Sequence, residues 1–536
     1  MHSRPTGAGR GSVIRVFFLA FVVYAYFMPR WADWNIDSRL DLTHAMVDRH
    51  TLRIDAYNQN TWDKATFQGH FYSDKAPGTA LLGAGVYGLF VLARAAPLTG
   101  QAIRAVERSS AWEPAIRLGR TSTQAASAAH GTSLAGCQRT GGAGNVQYIP
   151  WGNRLVPPFR DWALSKYVVS VGAVSFFSAL FVAFFFWFLS LFAVSRTARW
   201  LLTLLYAFAT VALPYSTVFY SHQLVAGALF TAFALLYLVS RRMVRSWAVP
   251  AAGFLLGFAF FTEYTVALAI VVIGLYGLWA MRGRIRRIAS MTVAGAVPVA
   301  GLFAYNYACF GNPLDTGYSH DYCWSSAQGA GLAGFTYPHL GPLFDLTIGP
   351  FRGLFFASPF LLLAIPGLLL MRKRALGPEA AVCAVTVVLF ILAISAYWGW
   401  NGGKVDGPRY LVPIVPFCAF PILFALDRML AWKVGRVAVA ALAGWSIFAC
   451  WSELLGGELF PVAWHRNPLF QDSLPELAGN QIAPNAGLFL GLQGWQTLLP
   501  LAALVILVLV VGQPSGLRGR LRGPSLVRRE RLAAQK

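Results

Sequence analysis

Runs of about twenty apolar residues recur from one end of this chain to the other, and that length is what a helix needs to cross a bilayer. In lipid every backbone N–H and C=O must be satisfied within its own segment, so such runs are confined to helices. They fall at 13–29, 168–193, 198–217, 222–240, 248–262, 264–281, 288–305, 353–371, 377–397, 409–426, 434–452 and 495–512. The pair at 248–281 is divided only by Thr262 and Glu263. Charged residues are 12% of the 536 and apolar ones 56%, where soluble domains carry about 25% charged residues. The pattern predicts an all-α polytopic membrane protein, a bundle of about twelve spans.

The net charge of +22 would suggest nucleic acid in a soluble protein. Here the basic residues sit in the tails and in short loops between apolar runs, as RRMVR (241–245), RGRIRR (282–287) and RKR (372–374), with Arg428, Lys433 and Arg436 after them. Short basic loops mark the cytoplasmic side, so the lipid bilayer is the implied partner and no nucleic acid is. Residues 1–12 and 513–536 then read as cytoplasmic basic tails around a transmembrane domain at 13–512, the second tail lying near anionic lipid. The longer loops 30–167, 306–352, 398–408 and 453–494 fall outside. Arg4, Arg10 and Arg15 precede VFFLAFVVYAYFM (16–28) with no small-residue cleavage site after it, which reads as a retained anchor. This places the chain in the cytoplasmic (inner) membrane, with its polar loops on the external or periplasmic face.

Both ends of 30–167 lie outside, so the short, glycine-rich apolar stretch 79–93 is expected to lie on the membrane surface or to dip in and return. Residues 121–145, small and polar, read as a flexible insert. Six cysteines are scattered without a CxxC pair, so no zinc or redox motif is present. Cys309, Cys383, Cys418 and Cys450 lie in or beside apolar runs as core fillers. Cys137 and Cys323 fall in loops, where a disulfide between them is one option.

Ionisable residues crowd into the first external loop. WADWNIDSRLDLTHAMVDRHTLRID supplies Asp33, Asp37, Arg39, Asp41, His44 and Asp48; NTWDKATFQGHF adds Asp63 and Lys64; GHFYSDKAPG adds Tyr72, Asp74 and Lys75. At i, i+4 and i+7, Asp37, Asp41 and His44 share one helix face. Carboxylates beside cations at a water–lipid boundary suit a lipid-linked phosphate, with Lys75 or Arg39 neutralising the phosphate and an Asp taking a proton from an incoming hydroxyl. The competing reading is a solvated amphipathic loop helix with ion pairs, and the spacing alone weighs the two about equally. His320 and Asp321 in GYSHDYCW are too few for a metal site, and Trp398, Trp400 and Tyr397 fit an interfacial aromatic belt.

IDSRLDLTHAM, followed about thirty residues later by GHFYSDKAPG, resembles the first external loop of the GT-C glycosyltransferases. More narrowly it is similar to the protein O-mannosyltransferase and aminoarabinose (lipid A) transferase group. There an acidic residue soon after the first span acts at the catalytic centre, and a Y-x-[DE]-K-x-P element places its Lys near the lipid phosphate. Tyr72, Asp74, Lys75 and Pro77 fit that element. Asp37 is the first choice for the acidic residue and Asp41 the second. The family's pattern often has two adjacent acids before a short gap to Arg, whereas here only Asp37 precedes Ser38 and Arg39. PYSTVFYSHQLVAGALF (214–230) puts His222 at a span's external mouth, GPFRGLFFASPFLLL (349–363) resembles a later loop with Arg352, and WGWNGGKVDGPRYLVPIVPF (398–417) carries Arg409. Structural readings stand beside each: Arg352 and Arg409 as interfacial snorkelling arginines, His222 as an interfacial hydrogen-bonding group.

The resemblance implies a GT-C-type bundle whose long first external loop carries juxtamembrane helices. It implies a polyprenyl-phosphate sugar as donor and an acceptor hydroxyl on a protein, polysaccharide or glycolipid. Asp37 or Asp41 would be the base, Lys75 with Arg39, Arg352 or Arg409 would hold the phosphate, and Tyr72, Asp74 and His222 would contact substrate. No cofactor is required and no metal ligand set is assigned, although a carboxylate-bound divalent cation is compatible. The alternatives are a transporter or lipid flippase, whose polar groups belong at the bilayer midplane, and a non-catalytic assembly subunit.

Overall fold

The computed structural model describes residues 9–29, 33–112, 159–403, 405–456 and 466–511. The insert at 121–145, Cys137 and most of both basic tails lie outside them. Among the described residues eight helices are long and apolar enough to cross a membrane: Gly78–Ala95, Arg160–Leu189, His222–Ser240, Ile285–Phe310, Gly377–Ser395, Arg409–Met429, Lys433–Leu455 and Gly494–Val511. Ala248–Thr262 and Tyr264–Ala280 are shorter apolar helices, and Arg10–Tyr26 has 17 residues. Thr262 ends one helix, Glu263 is extended (φ −157°, ψ 117°), and a 3₁₀ turn starts the next. The division expected from sequence at these two residues is where the chain turns.

Two expected spans are interrupted. The run 198–217 becomes a helix at Arg196–Phe208 and a separate turn at Ala212–Tyr215. The run 353–371 becomes Leu354–Ala357, a 3₁₀ segment Pro359–Leu363 and the helix Ala364–Lys373. Pro359 has no amide hydrogen to continue the ladder, which accounts for the break there. The stretch expected on the surface at 79–93 belongs to the 18-residue helix Gly78–Ala95, which by length and composition is able to span. Its start lies against the Thr262 turn: a Cβ on Gly78 would come within 2.9 Å of the Thr262 Cα.

A two-stranded antiparallel hairpin, Lys64–Phe67 with His70–Ser73, departs from the all-helical expectation. Its turn residues Gln68 and Gly69 both have positive φ, 50° and 81°, the backbone a tight primed hairpin turn requires. The core between helices is aromatic: Phe181, Phe185, Phe230, Phe233, Phe417 and Phe420 are all buried in one apolar cluster. Cys309, Cys383, Cys418 and Cys450 are free and buried, as expected of core fillers. Cys323 is disulfide-bonded.

Candidate active site

The segment after the first helix folds into the helix Trp34–Asp48, whose polar residues, except Asp48 at its end, are buried rather than solvated. Asp33 caps its start, one carboxylate oxygen accepting from the amides of Asn35 at 3.0 Å and Ile36 at 3.2 Å. That satisfies two of the orphan donors of the first turn. The other oxygen accepts from the Tyr220 hydroxyl at 2.7 Å, which ties this helix to the segment before His222. Asp37, Asp41 and His44 are fully buried. Lys166, from the helix Phe159–Ser170, places Nζ 2.8 Å from Asp37 Oδ1, and its neighbour Ser165 Oγ lies 3.0 Å from His44 Nε2. Asn60 donates to Asp41 at 2.8 Å. Burial, opposed by Lys166, pushes the Asp37 carboxyl up to about 8. Burial and then the neighbouring Asp37 hold Asp41 well above the carboxylate range.

The hairpin's second strand delivers Ser73, Asp74 and Lys75 to this helix. Ser38 Oγ donates to Asp74 Oδ1 at 3.0 Å and lies 2.8 Å from Ser73 Oγ, so the two sequence motifs meet directly. Lys75 Nζ sits 2.5 Å from Asp74 Oδ2 and 2.9 Å from Asp63 Oδ2, with the Tyr318 ring 5.5 Å away. Burial pulls the Lys75 ammonium toward deprotonation, but Asp63 and Asp74 outweigh it and hold it above its ordinary value. Burial likewise pushes Asp63 up, and Lys75, Arg409 and Arg39 together bring it below the usual range. Burial dominates at Asp74, which is raised despite Lys75. The Asp63 side chain keeps 17% of its surface exposed, against 1% for Asp74 and 0% for Asp37.

Arg409, at the start of its span, donates to the hydroxyls of Tyr410 at 2.9 Å and Tyr220 at 3.4 Å. Among the described residues no carboxylate is ion-paired with it, and its Nε has no hydrogen-bond partner. His222 stacks on Tyr220 at 5.6 Å and meets the edge of Tyr410 at 5.6 Å, with Nδ1 3.8 Å from Glu263. Arg39 is almost fully buried; it binds Asn35, donates to Ser221 Oγ at 3.2 Å and lies 4.0 Å from Glu263. Lys75, Asp74, Arg39, His222 and Arg409 are thus gathered around Asp63, Glu263 and Tyr220. Arg352 is elsewhere engaged: it donates to the backbone carbonyls of Val405 and, at 2.8 Å, Gly403, clamping the loop ahead of Arg409. Tyr72 is buried in a small apolar cluster with Leu42 and Tyr305 and meets Phe310 at 5.5 Å.

Sequence reasoning placed Asp63 in the charged first loop without giving it a role, and passed over Glu263, Lys166 and Tyr220 as parts of this cluster. Asp63–Lys64 repeats the Asp–Lys pairing of Asp74–Lys75, a signal in plain view. Lys166 was detectable as a lone cation leading into an apolar run. Among the described residues no group of three or more His, Cys, Asp or Glu could hold a metal ion.

No protein-family model and no curated protein matches the chain. Two crystal structures of ArnT from Cupriavidus metallidurans are similar to it. The apo state aligns with a TM-score of 0.44 at 14% identity, and the state bound to undecaprenyl phosphate with a TM-score of 0.41 at 15% identity; each comparison covers 92% of this chain and 76% of that one.

Proposed function

We propose that the protein is a membrane glycosyltransferase that moves a sugar from a polyprenyl-phosphate donor to an acceptor hydroxyl at the external face of the membrane. The observation that carries this is the convergence of Lys75, Arg39 and Arg409 around the partly exposed Asp63, at the ends of apolar helices. Lys75 precedes Gly78–Ala95, His222 opens its helix, Arg409 opens another and Glu263 follows Thr262. A flippase would place such groups within its spans, so their position at helix ends favours chemistry on a headgroup whose tail lies in lipid.

Arg409 offers a guanidinium with no carboxylate within ion-pairing distance among the described residues, and the Tyr220 and Tyr410 hydroxyls flank it. It is the natural seat for the donor phosphate, with Lys75 beside it. Charge that develops on the departing phosphate is stabilised by preorganised cations. A carboxylate of the cluster takes the acceptor's proton while the oxygen attacks the anomeric carbon, and a single displacement inverts that centre.

The test is transfer of label from a panel of radiolabelled polyprenyl-phosphate sugars in membranes containing the full chain. Wild type moves label into a protein, polysaccharide or glycolipid fraction, and Arg409→Gln slows this at least tenfold. Label that stays on the donor for every sugar in the panel overturns the proposal. Transbilayer movement of the donor without transfer favours the flippase.

A further inference from the structure

Asp37 and Asp41, nominated from sequence as the base, are both fully buried and each has one oxygen already engaged, by Lys166 at 2.8 Å and by Asn60 at 2.8 Å. Asp74 is 1% exposed and engaged at both oxygens, by Ser38 at 3.0 Å and Lys75 at 2.5 Å. Glu263 is 4% exposed, with one oxygen 2.6 Å from Ser221 Oγ and the other 3.2 Å from Thr265 Oγ1. Asp33 is spent on the helix cap and Tyr220. An acceptor hydroxyl has no open approach to any of them.

Asp63 differs in exposure: Oδ2 of Asp37 and of Asp41 also lacks a partner among the described residues, but both side chains are sealed from solvent. Its side chain is 17% exposed. One oxygen, Oδ2, is held 2.9 Å from Lys75 Nζ, while Oδ1 has no hydrogen-bond partner among the described residues. Its backbone is fixed: its own amide donates to Thr61 Oγ1 at 3.0 Å, Thr61 Oγ1 donates to the Trp34 carbonyl at 2.8 Å, and Lys64 beside it opens the hairpin strand. A carboxylate with one oxygen pinned and the other open is the arrangement a general base needs, since reach comes before affinity for the proton.

We propose that Asp63 is the catalytic base and that Asp37 with Lys166 is a buried ion pair that positions the helix carrying Ser38 and Arg39; this rests on the glycosyltransferase reading above. Asp63 Oδ1 accepts the proton of the acceptor hydroxyl as the acceptor oxygen forms its bond to the anomeric carbon. The bond from that carbon to the phosphate oxygen breaks, and its electron pair leaves with the polyprenyl phosphate toward Arg409. Lys75 orients Asp63 and keeps it ionised through the reaction. The bound sugar lies between Asp63 and Arg409.

The test compares full-length wild type, Asp63→Asn, Asp63→Glu and Asp37→Asn/Lys166→Met in the labelled-donor assay, with undecaprenyl phosphate binding measured on the same preparations. Removal of the base costs about 10²–10⁴-fold in turnover, so Asp63→Asn is expected to lose at least 100-fold in kcat while it binds undecaprenyl phosphate as wild type does. Asp63→Glu is expected to recover part of the rate. The double variant, which removes both buried charges together, is expected to stay within about tenfold of wild type. Asp63→Asn retaining kcat within threefold, or the double variant losing as much as Asp63→Asn while still binding undecaprenyl phosphate, overturns the assignment and leaves the glycosyltransferase standing. A wild type that transfers no label overturns both.

Discussion

At the scale of single residues, burial decides which charges are used to hold the fold and which are left for chemistry. Asp37 and Lys166 hold each other with both side chains at 0% exposure. Asp37→Asn removes the carboxyl that accepts from the buried Lys166 ammonium at 2.8 Å, a loss of about 1–3 kcal/mol. A lower thermal midpoint in detergent is expected, with most of it recovered when Lys166→Met is added. His44 gives a pH signature. Burial lowers its imidazole to about 3, while an unfolded histidine titrates near 6.5. Between those values the unfolded chain binds the extra proton, so stability rises with pH from about 3 to about 6.5 and is flat above, at most about 1.4 kcal/mol per pH unit. His44→Gln should flatten that slope in thermal unfolding measured across the window; an unchanged slope would assign it to other groups. Arg409→Gln removes one charge-assisted site, worth about 1.5–3 kcal/mol, so binding of a polyprenyl phosphate, the donor class proposed above, is expected to weaken about 10- to 100-fold in equilibrium titration. The shared face of Asp37, Asp41 and His44 was readable from a spacing of four and three. Its burial was not, because the partners Ser165 and Lys166 stand more than a hundred positions later in the chain.

At the scale of elements, small residues let helices approach closely. The helix Ala248–Thr262 meets Ile285–Phe310 along Gly253 and Gly257, a GxxxG spacing of the kind that draws helices together in lipid. A Cβ on Gly257 would come within 2.9 Å of the Gly295 carbonyl carbon and 3.1 Å of its Cα. Gly257→Val is therefore expected to cost about 1–3 kcal/mol by overpacking, read as a lower midpoint in thermal unfolding; an unchanged midpoint would show that the seam yields freely. Span existence was readable wherever apolarity ran for the full length of a helix. The breaks at 208–212 and 357–364 were not, since apolarity continues across them while the backbone ladder stops. The hairpin was hidden for a different reason. Its four-residue strands are too short for a periodic signal, and its turn is Gln-Gly in place of the Asn-Gly or Asp-Gly pair that announces such turns.

At the scale of the whole molecule, the basic loops make a claim about sidedness. Arg53, in the first loop, and Arg242, in a basic loop, are both exposed. Single cysteines at the two positions, treated in intact cells with a membrane-impermeant maleimide, should label at Arg53→Cys and stay unlabelled at Arg242→Cys. The reverse pattern would put the cluster on the cytosolic side and remove the external acceptor from consideration. The ion pair between Asp37 and Lys166 also joins positions 129 apart in sequence. A ribosome adds about 5–20 residues per second, so Asp37 emerges on the order of ten seconds before its counter-charge exists. During that interval a lone carboxylate cannot enter hydrocarbon without neutralising itself. Until Lys166 has been synthesised the Asp37 carboxyl therefore either stays hydrated or carries a proton, and the contact between the two can close only after residue 166 has emerged.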